Sequence, residues 1–449
     1  MGPASDRVSV AECVSVAFAT GAPSLPMPAS LSKNWTSLSH PAGSPAAISS
    51  LGIVLQTAST GGWRYANRLI EGIRQVRPEM RITAYMRASL KSVCEKDSPS
   101  AGLQELGVEV KSLPYVRSLV HQSASKRWIG NLRRTFARKT FRRWQQELNS
   151  HSLVFFAWPF GIDCPAISTP ISFIPHDFNY THFTGGVALG PTYTQVQLKQ
   201  HAEWLRRAQP IVSAQFMADE LQQTFPEYHG RVPVIPLSCL GQDTRMSDSQ
   251  ADQIVRGLGV QRPYILSLNN NSPHKNLPQL LSGFHYVHQQ VPELNLVLAG
   301  FGTENIAGHM HTPYYLDTCQ PNGPVSSLGL RSDMEVEALI KGAALVINAS
   351  VYEAGNGSGL DAWAMGTPVA MSSIPPFLEH EERLGVVAEK FHPRCCFEIG
   401  NAILRILQNP EQTRANVARS REAMASNTWE HVAQQYLAQF DAIAAKPLQ

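Results

Sequence analysis

Residues 344–375, ALVINASVYEAGNGSGLDAWAMGTPVAMSSIP, constrain the fold of this chain more than any other stretch. The stretch begins with an apolar run, Ala344–Ala349, which is typical of a buried strand. A polar turn with Glu353 and alternating glycines follows. A short apolar segment closed by Gly366 comes next, and then a second strand at 367–371. Strand, glycine turn, short helix and strand in this order predict a parallel α/β sheet.

The turn inside this stretch predicts a site for a negatively charged ligand. In open parallel sheets, ligands bind at the carboxyl ends of the strands. Here that edge offers the Glu353 carboxylate, flexible backbone at Gly355, Gly357 and Gly359, and the start of a new helix. The N-terminus of a helix attracts anions because its first N–H groups are unpaired and the helix dipole is positive there.

Composition narrows the class of protein. The formal net charge is only +3, so bulk charge does not indicate a nucleic-acid-binding protein. There is no run of about eighteen apolar residues, so no transmembrane span is predicted. The seven cysteines are scattered without a C-x-x-C pair, which favours reduced thiols, no zinc site and a cytoplasmic location.

The chain predicts two α/β domains joined by a polar linker at 240–252, with a cleft between them. Ala-, Ser- and Pro-rich residues 1–50 predict a disordered or loosely packed tail. Predicted strands are 52–56, 81–86, 108–113, 153–158, 171–175, 210–214 and 232–236 in the first domain, then 264–269 and 294–300 in the second. Predicted helices are 63–76, 277–291, 334–343, 396–409 and 428–444.

A basic segment at 126–144 stands apart from the rest of the first domain. It has eight basic residues and no acidic one, and Trp128, Leu132 and Phe136 recur every four residues. Such a helix is suited to the surface of an anionic membrane or to a phosphate-bearing acceptor. The alternative is a solvated helix whose aromatic residues lie in the core.

Two charged residues follow predicted strands of the second domain. Lys275 precedes a helix with Asn276 as its expected N-cap, and it is either a diphosphate clamp or a solvated surface lysine. Glu353 either accepts hydrogen bonds from ligand hydroxyls and stabilises developing positive charge, or is an exposed loop acid.

Other candidates have equally plain structural explanations. Asp361 fits a capping box with Ser358, so it either holds the start of its helix or contacts a ligand. His176 follows strand 171–175 and either binds a sugar hydroxyl or phosphate or is satisfied by its turn. Gly61 and Gly62 either let the backbone approach a ligand closely or form a tight turn.

Several segments of the second domain resemble a known family. They are SLNNNSPHKNLPQLLSGF, LNLVLAGFG and INASVYEAGNGSGLDAWAMGTPVAMSSIPPFLEH, the last with two acids separated by seven residues. These segments resemble the nucleotide-sugar-binding half of retaining glycosyltransferases with the GT-B fold, in the large fourth family (group 1 glycosyltransferases). The first domain matches more loosely, through TGGWRYANRLIEGI, ISFIPHDFNY and PIVSAQFMADEL. TWEHVAQQYLAQF resembles the closing helix that packs back on the first domain in this fold.

The resemblance implies an architecture of two Rossmann-like parallel-sheet domains facing each other across a cleft. The expected boundaries are 1–50 for the tail, 51–240 for the acceptor-side domain, 241–426 for the nucleotide-sugar-binding domain and 427–449 for the closing helix.

The resemblance also implies a reaction and roles for single residues. The expected activity moves a hexosyl or deoxyhexosyl group, with retention, from a nucleoside-diphosphate sugar to a hydroxyl of a glycan or lipid-linked acceptor in cell-surface polysaccharide synthesis. No metal or other cofactor is expected, and the protein is placed in the cytoplasm or at the inner face of the membrane. Carried over by position, the expected contacts are Lys275 with the diphosphate, Glu353 with the sugar hydroxyls, Asp361 with the ribose, Gly355, Asn356 and Gly357 with the sugar or phosphate, Gly62 with the phosphates, His176 with the transferred sugar, and Asn269 with the donor.

Three departures from the family pattern leave alternatives open. The second acid is Asp361 rather than glutamate, Asn269 stands where an arginine is common, and Ala354–Ser358 replaces the usual Gly-Phe-Gly-Leu-Pro. They indicate another donor or lost catalysis. The alternative functions are a non-catalytic GT-B subunit that binds a partner or glycan, and a GT-B sugar-nucleotide epimerase.

Overall fold

The structure is a computed structural model that describes most of the chain. The predicted tail up to residue 46 and the first part of the basic segment, 126–139, lie outside its described residues. The described residues are 47–55, 61–86, 99–113, 140–157, 159, 161–182, 191–241, 246–305 and 323–446.

Within the described residues, the first sheet has six parallel strands in the order β3-β2-β1-β4-β5-β6. All six residues of its central strand β1 are buried, as expected of a parallel strand covered on both faces. Within β1, Leu51 pairs with Ile82 on one side and with Leu153 on the other. The strands are β1 Ser50–Leu55, β2 Arg81–Met86, β3 Glu109–Ser112, β4 Leu153–Phe156, β5 Ile171–Phe173 and β6 Gln209–Pro210.

The second sheet repeats this topology, with the order β12-β11-β10-β7-β8-β9. In each sheet the strand order reverses at one point, between β1 and β4 and between β7 and β10. Ligands of doubly wound sheets bind at such switch points. The strands are β7 Tyr264–Leu268, β8 Asn295–Ala299, β9 Val325–Gly329, β10 Leu345–Asn348, β11 Val369–Ser372 and β12 Glu389–Phe391.

Helices connect the strands. Those in the first half of the described chain are α1 Gly61–Val76, α2 Pro99–Glu105, α3 residues 140–148, α4 Asn179–His182, α5 Pro191–Arg207 and α6 Gln215–Thr224. Those in the second half are α7 Asp248–Gly257, α8 Leu277–His288, α9 Asp333–Gly342, α10 Gly357–Met365, α11 Pro375–Leu384, α12 Cys396–Gln408, α13 Pro410–Ala425 and α14 Trp429–Ala444.

The predicted α/β architecture with two Rossmann-like domains is confirmed, and most element bounds agree within one to three residues. The end of the predicted linker is wrong, because α7 starts at Asp248 behind a capping box between Ser247 and Gln250. The predicted strand 232–236 is also wrong, since only Val234 forms an isolated bridge, to Val212. Ile48 and Ser50, assigned to the tail, are buried.

The last helix completes the core of the first domain. Val432, Tyr436 and Phe440 of α14 belong to the same buried cluster as Leu69 of α1 and Phe155 of β4. The side chains of α14 therefore cover one face of the first sheet, although they come from the end of the chain. None of the helices among the described residues is long and apolar enough to cross a membrane.

Candidate active site

Lys275 and Glu353 follow the two strands that flank the switch point of the second sheet. Lys275 ends the short 3-10 turn after β7, and Glu353 lies in the loop after β10. Because β7 and β10 are neighbouring parallel strands, their carboxyl ends meet at one edge of the sheet. The fold therefore brings these two predicted site residues together.

The two side chains form an ion pair. Lys275 Nζ lies 2.5 Å from Glu353 Oε1, and the Ser350 hydroxyl donates to the same oxygen at 2.6 Å. Only 15% and 13% of the two side chains is exposed. In an ion pair this shielded from solvent, each charge compensates the other, and loss of one partner leaves an uncompensated buried charge. The second oxygen, Oε2, accepts no hydrogen bond from the described residues and is available to a ligand hydroxyl.

Asn276 does not cap α8 as predicted. Its backbone is left-handed, with φ of 58°, and its side chain makes no cap hydrogen bond. The side-chain amide instead donates to Ala349 O at 2.9 Å and to Pro393 O at 2.7 Å. Asn276 thus ties the turn that carries Lys275 to the loop that carries Glu353.

The glycine turn starts α10 in a different way from the predicted capping box. Asn356 is the N-cap, and its Oδ1 accepts the Gly359 N–H at 3.1 Å. Asn356 is fully buried, so its side chain serves the helix start. A Cβ on Gly359 would lie 2.4 Å from Asn356 Nδ2, so only glycine fits there. The first N–H groups of α10, from Gly357 and Ser358, have no partner inside the helix and can receive an anion.

Asp361 is not the partner of Ser358 at the helix start. Its buried carboxylate accepts the N–H groups of Leu240 at 2.5 Å and Gly241 at 2.9 Å, and its other oxygen lies 3.4 Å from Arg64 Nη2. Burial raises the pKa of Asp361, while Arg64 and the two N–H groups lower it. Both carboxylate oxygens of Asp361, the residue predicted to contact the ribose, are therefore bound by residues of the first domain and of the segment that follows it.

Asn269 and Gly62 lie at strand ends, as predicted for donor-binding residues. Asn269 follows β7, but it is buried, and its amide donates to Ser267 Oγ at 3.2 Å. Gly62 is the second residue of α1, after β1. The contact of Arg64 with Asp361 shows that the first turn of α1 faces α10.

His176 follows β5 in a left-handed conformation, with φ of 63°, which is costly for a residue with a Cβ. Its Nε2 lies 2.5 Å from Ala157 O, and a carbonyl only accepts, so Nε2 carries the proton. Burial lowers the pKa of His176 to about 4, so the ring is neutral at neutral pH.

Asp177, next in the chain, reaches the charges of the second domain. Burial raises the pKa of Asp177 to about 6; Glu353 also raises it and Lys275 lowers it. Its Oδ1 accepts the Asn179 N–H at 3.1 Å. The loop after β5 therefore faces the Lys275–Glu353 pair, and it brings His176 and Asp177 to the edge of the same site.

Sequence reasoning missed the residue that joins the two loops. Tyr352, next to Glu353, accepts the Phe178 N–H at 2.9 Å and donates to Glu220 Oε2 at 2.5 Å. The one signal in the sequence is its place beside the candidate carboxylate, because neither partner is near it in the chain.

Comparison with known proteins gives a family match for residues of the second domain. Residues 248–424 match the family model described as "Glycosyl transferases group 1". The match covers most of the second domain. A search of the curated proteins found no match.

Solved structures share the fold over most of the chain. Anabaena HepE, in complex with UDP and glucose, is similar with a TM-score of 0.62 and 17% identity over 88% of this chain and 99% of that one. WaaG, a glycosyltransferase of lipopolysaccharide biosynthesis, gives 0.60 and 13% over 86% and 98%. Sucrose-phosphate synthase from Thermosynechococcus elongatus gives 0.60 and 17% over 86% and 97%. The chain has the GT-B fold.

Within the described ranges, no group of three or more His, Cys, Asp or Glu residues is arranged to hold a metal ion.

Proposed function

We propose that this protein is a retaining glycosyltransferase. It moves a hexosyl or deoxyhexosyl group from a nucleoside-diphosphate sugar to a hydroxyl of a glycan or lipid-linked acceptor. The observation that carries the proposal is the Lys275–Glu353 pair at the switch point of a domain that matches the group 1 family.

Two similar structures support the proposed donor and acceptor classes. HepE is described with UDP and glucose bound, which favours a uridine or related nucleotide and a hexose as first ligands to test. WaaG is described as acting in lipopolysaccharide biosynthesis, which favours a cell-surface glycan as acceptor class.

In the proposed reaction, a bond forms between the acceptor oxygen and the anomeric carbon of the donor sugar. The bond from that carbon to the β-phosphate oxygen breaks, and its electron pair passes to the diphosphate. The acceptor proton goes to the leaving diphosphate on the same face of the sugar, which accounts for retention without a protein nucleophile.

The residues at the switch point serve the charges that develop in this reaction. Lys275 and the first N–H groups of α10 stabilise the departing diphosphate, and no metal is required for this. Glu353 Oε2 receives sugar hydroxyls. Neutral His176 contacts the transferred sugar from the side of the first domain without adding a positive charge near the anomeric carbon.

The test is Glu353→Gln, which removes the charge and keeps the shape. We expect hydrolysis of UDP-glucose and transfer to fall by about 100-fold or more, because a fixed electrostatic contact at the reacting sugar is lost. Glu381→Gln is the matched control, since Glu381 also pairs with a lysine, Lys390, at 2.7 Å, but on α11. Equal activity of Glu353→Gln and the control would sink the assigned role.

A non-catalytic GT-B subunit is the second candidate, and the position of Asp361 favours it. Both oxygens of that carboxylate are taken by Leu240, Gly241 and Arg64, which competes with a ribose. Calorimetry of the full chain with UDP, GDP, ADP and their glucose conjugates separates the two functions. Micromolar binding of one nucleotide supports the enzyme, and absence of heat with all of them supports the subunit.

A further inference from the structure

One hydroxyl group bonds the two loops that form the candidate site. Tyr352 OH accepts the Phe178 N–H at 2.9 Å and donates to Glu220 Oε2 at 2.5 Å. Tyr352 belongs to the second domain and is next to Glu353. Phe178 belongs to the first domain and follows His176 and Asp177. The hydrogen bond therefore lies between the neighbours of the residues that face the site from each side.

The partners of Tyr352 are themselves held in place. Glu220 is buried in α6, and its second oxygen pairs with His182 Nε2. The His182 ring packs on the Tyr352 ring with centroids 4.6 Å apart. Tyr352 itself is only 6% exposed. A buried hydroxyl with both a donor and an acceptor partner has a fixed direction, so it fixes the distance between the two loops.

The second domain also forms hydrogen bonds with α6 at a second point. The Glu379 carboxylate of α11 accepts the N–H groups of Gln215 at 2.7 Å and Phe216 at 3.2 Å, at the first turn of α6. The helix that carries Glu220 thus cannot shift along its axis relative to the second domain without breaking these bonds. This second contact makes Glu220 a fixed anchor for the Tyr352 hydroxyl.

We propose, on the basis of the proposed function, that Tyr352 is a positioning residue for the transfer reaction. Its hydroxyl sets the loop of Glu353 against the loop of His176 and Asp177, so that donor-side and acceptor-side groups meet in one geometry. The expected ligands of the nucleotide lie mainly on the second domain, around Lys275 and α10. Loss of the Tyr352 hydroxyl therefore affects turnover rather than donor binding.

The decisive variant is Tyr352→Phe, which removes the hydroxyl and keeps the ring. With UDP-glucose as probe and water as acceptor, we expect kcat to fall by about 10- to 100-fold, the loss typical of a small misplacement of reacting groups. KM for UDP-glucose and the Kd for UDP should change by less than about 3-fold, because the contacts that bind the substrate and the transition state equally well are unchanged.

Tyr264→Phe is the matched control. Tyr264 is fully buried and its hydroxyl donates to Leu339 O at 2.7 Å inside the second domain. Both variants lose one buried hydroxyl, so a general loss of stability affects them alike. Glu220→Gln keeps an acceptor for Tyr352 and should retain most of the kcat, whereas Glu220→Leu should lose it as Tyr352→Phe does.

Hydrogen exchange is a readout that does not depend on turnover, so it also tests a variant that has no measurable activity. Hydrogen exchange of the peptide around Phe178 should speed up in Tyr352→Phe and stay unchanged in Tyr264→Phe, because the Phe178 N–H loses its acceptor. If wild-type protein hydrolyses UDP-glucose and Tyr352→Phe keeps the kcat of Tyr264→Phe, the positioning role is overturned and the proposed function stands. If wild-type protein binds no nucleotide, the proposed function fails and the positioning role with it.

Discussion

At the scale of residues, charge around the site is arranged at a cost to stability. Asp177 has a raised pKa because it is buried, and because Glu353 adds a second negative charge. His176 adopts a left-handed backbone conformation that most residues avoid. Such features persist when the surrounding structure holds them, and they cluster at functional sites. The loop after β5 therefore carries two features that are common at functional sites.

Asp177→Asn tests this cost through pH. The pKa of Asp177 rises from 3.8 to about 6 on folding. Its stabilising contribution is full below the unfolded pKa and is lost as pH rises through the folded pKa. Asparagine stays neutral, so the variant should gain up to about 3 kcal/mol at about pH 8 and almost nothing at about pH 4.

Thermal unfolding of wild type and Asp177→Asn at the two pH values measures the effect. Burial is the largest cause of the raised pKa of Asp177, and the charged groups that also act on it are Glu353, Lys275 and Glu220. The Asp177 carboxylate in turn raises the pKa of Tyr180, Tyr193 and Tyr352. Asp163→Asn is the control, because Asp163 also belongs to the first domain but is not among these groups. A Tm for Asp177→Asn that is lower than wild type at the higher pH would contradict the prediction.

Which site residues the sequence reveals depends on how local their role is. Lys275 and Glu353 each follow an apolar run, so period and turn signals alone place them at strand ends. Asp361 is different, because the N–H groups that it accepts come from residues 121 and 120 positions earlier. The local match to a capping box therefore predicted the wrong partner. Tyr352 was missed for the same reason, since Glu220 and Phe178 belong to the other domain.

At the scale of elements, the N-terminus of α6 is capped by a side chain of the second domain. Its N-cap residue Ala214 has no side chain that could accept a hydrogen bond. The buried Glu379 carboxylate supplies both acceptors from α11. An acid at this end also interacts favourably with the helix dipole. The start of α6 thus depends on the contact between the domains.

Glu379→Ala should weaken α6 and the domain contact together. We expect the free energy of unfolding to fall by about 1–2 kcal/mol, the usual cost of a lost cap, and hydrogen exchange to rise in residues 215–224. Glu382→Ala on the same helix is the control, since Glu382 is exposed. Equal exchange in 215–224 for both variants would show that α6 does not need this carboxylate.

Element positions followed well from sequence where one face or both faces are apolar. Strand β2 has the predicted bounds, and α1, α9 and α14 begin within two residues of prediction. The start of α7 was missed because its exposed face is polar, which made it read as linker, although Ala251 and Val255 are buried. Whether a narrow apolar stripe on a helix such as α7 is buried depends on tertiary packing, and composition alone does not reveal it.

At the scale of the whole molecule, the two domains have separate cores. Phe440 of α14 is fully buried against Phe155 of the first sheet, with ring centroids 5.2 Å apart. Phe284 of α8 is equally buried in a core of the second domain. Each phenylalanine therefore reports on one domain.

Phe440→Ala and Phe284→Ala form a matched pair. Each should cost about 3–5 kcal/mol, since both leave a cavity in a packed core. Hydrogen exchange should rise in β1 and β4 for Phe440→Ala, and in β7 and β8 for Phe284→Ala. If Phe440→Ala instead loosens the second sheet and leaves the first unchanged, α14 does not support the first domain in solution.

The place of α14 also orders events during synthesis on the ribosome. Core residues of the second domain run from Ala251 to Met424, so its cores can close while the last helix is still being made. The first domain needs residues up to Ile443. Its sheet is synthesised first, yet one apolar face of that sheet stays uncovered until α14 has been made. The usual order, in which N-terminal domains finish folding first, is reversed here. Until α14 emerges, a nascent chain of this protein therefore exposes apolar surface of the kind that chaperones bind.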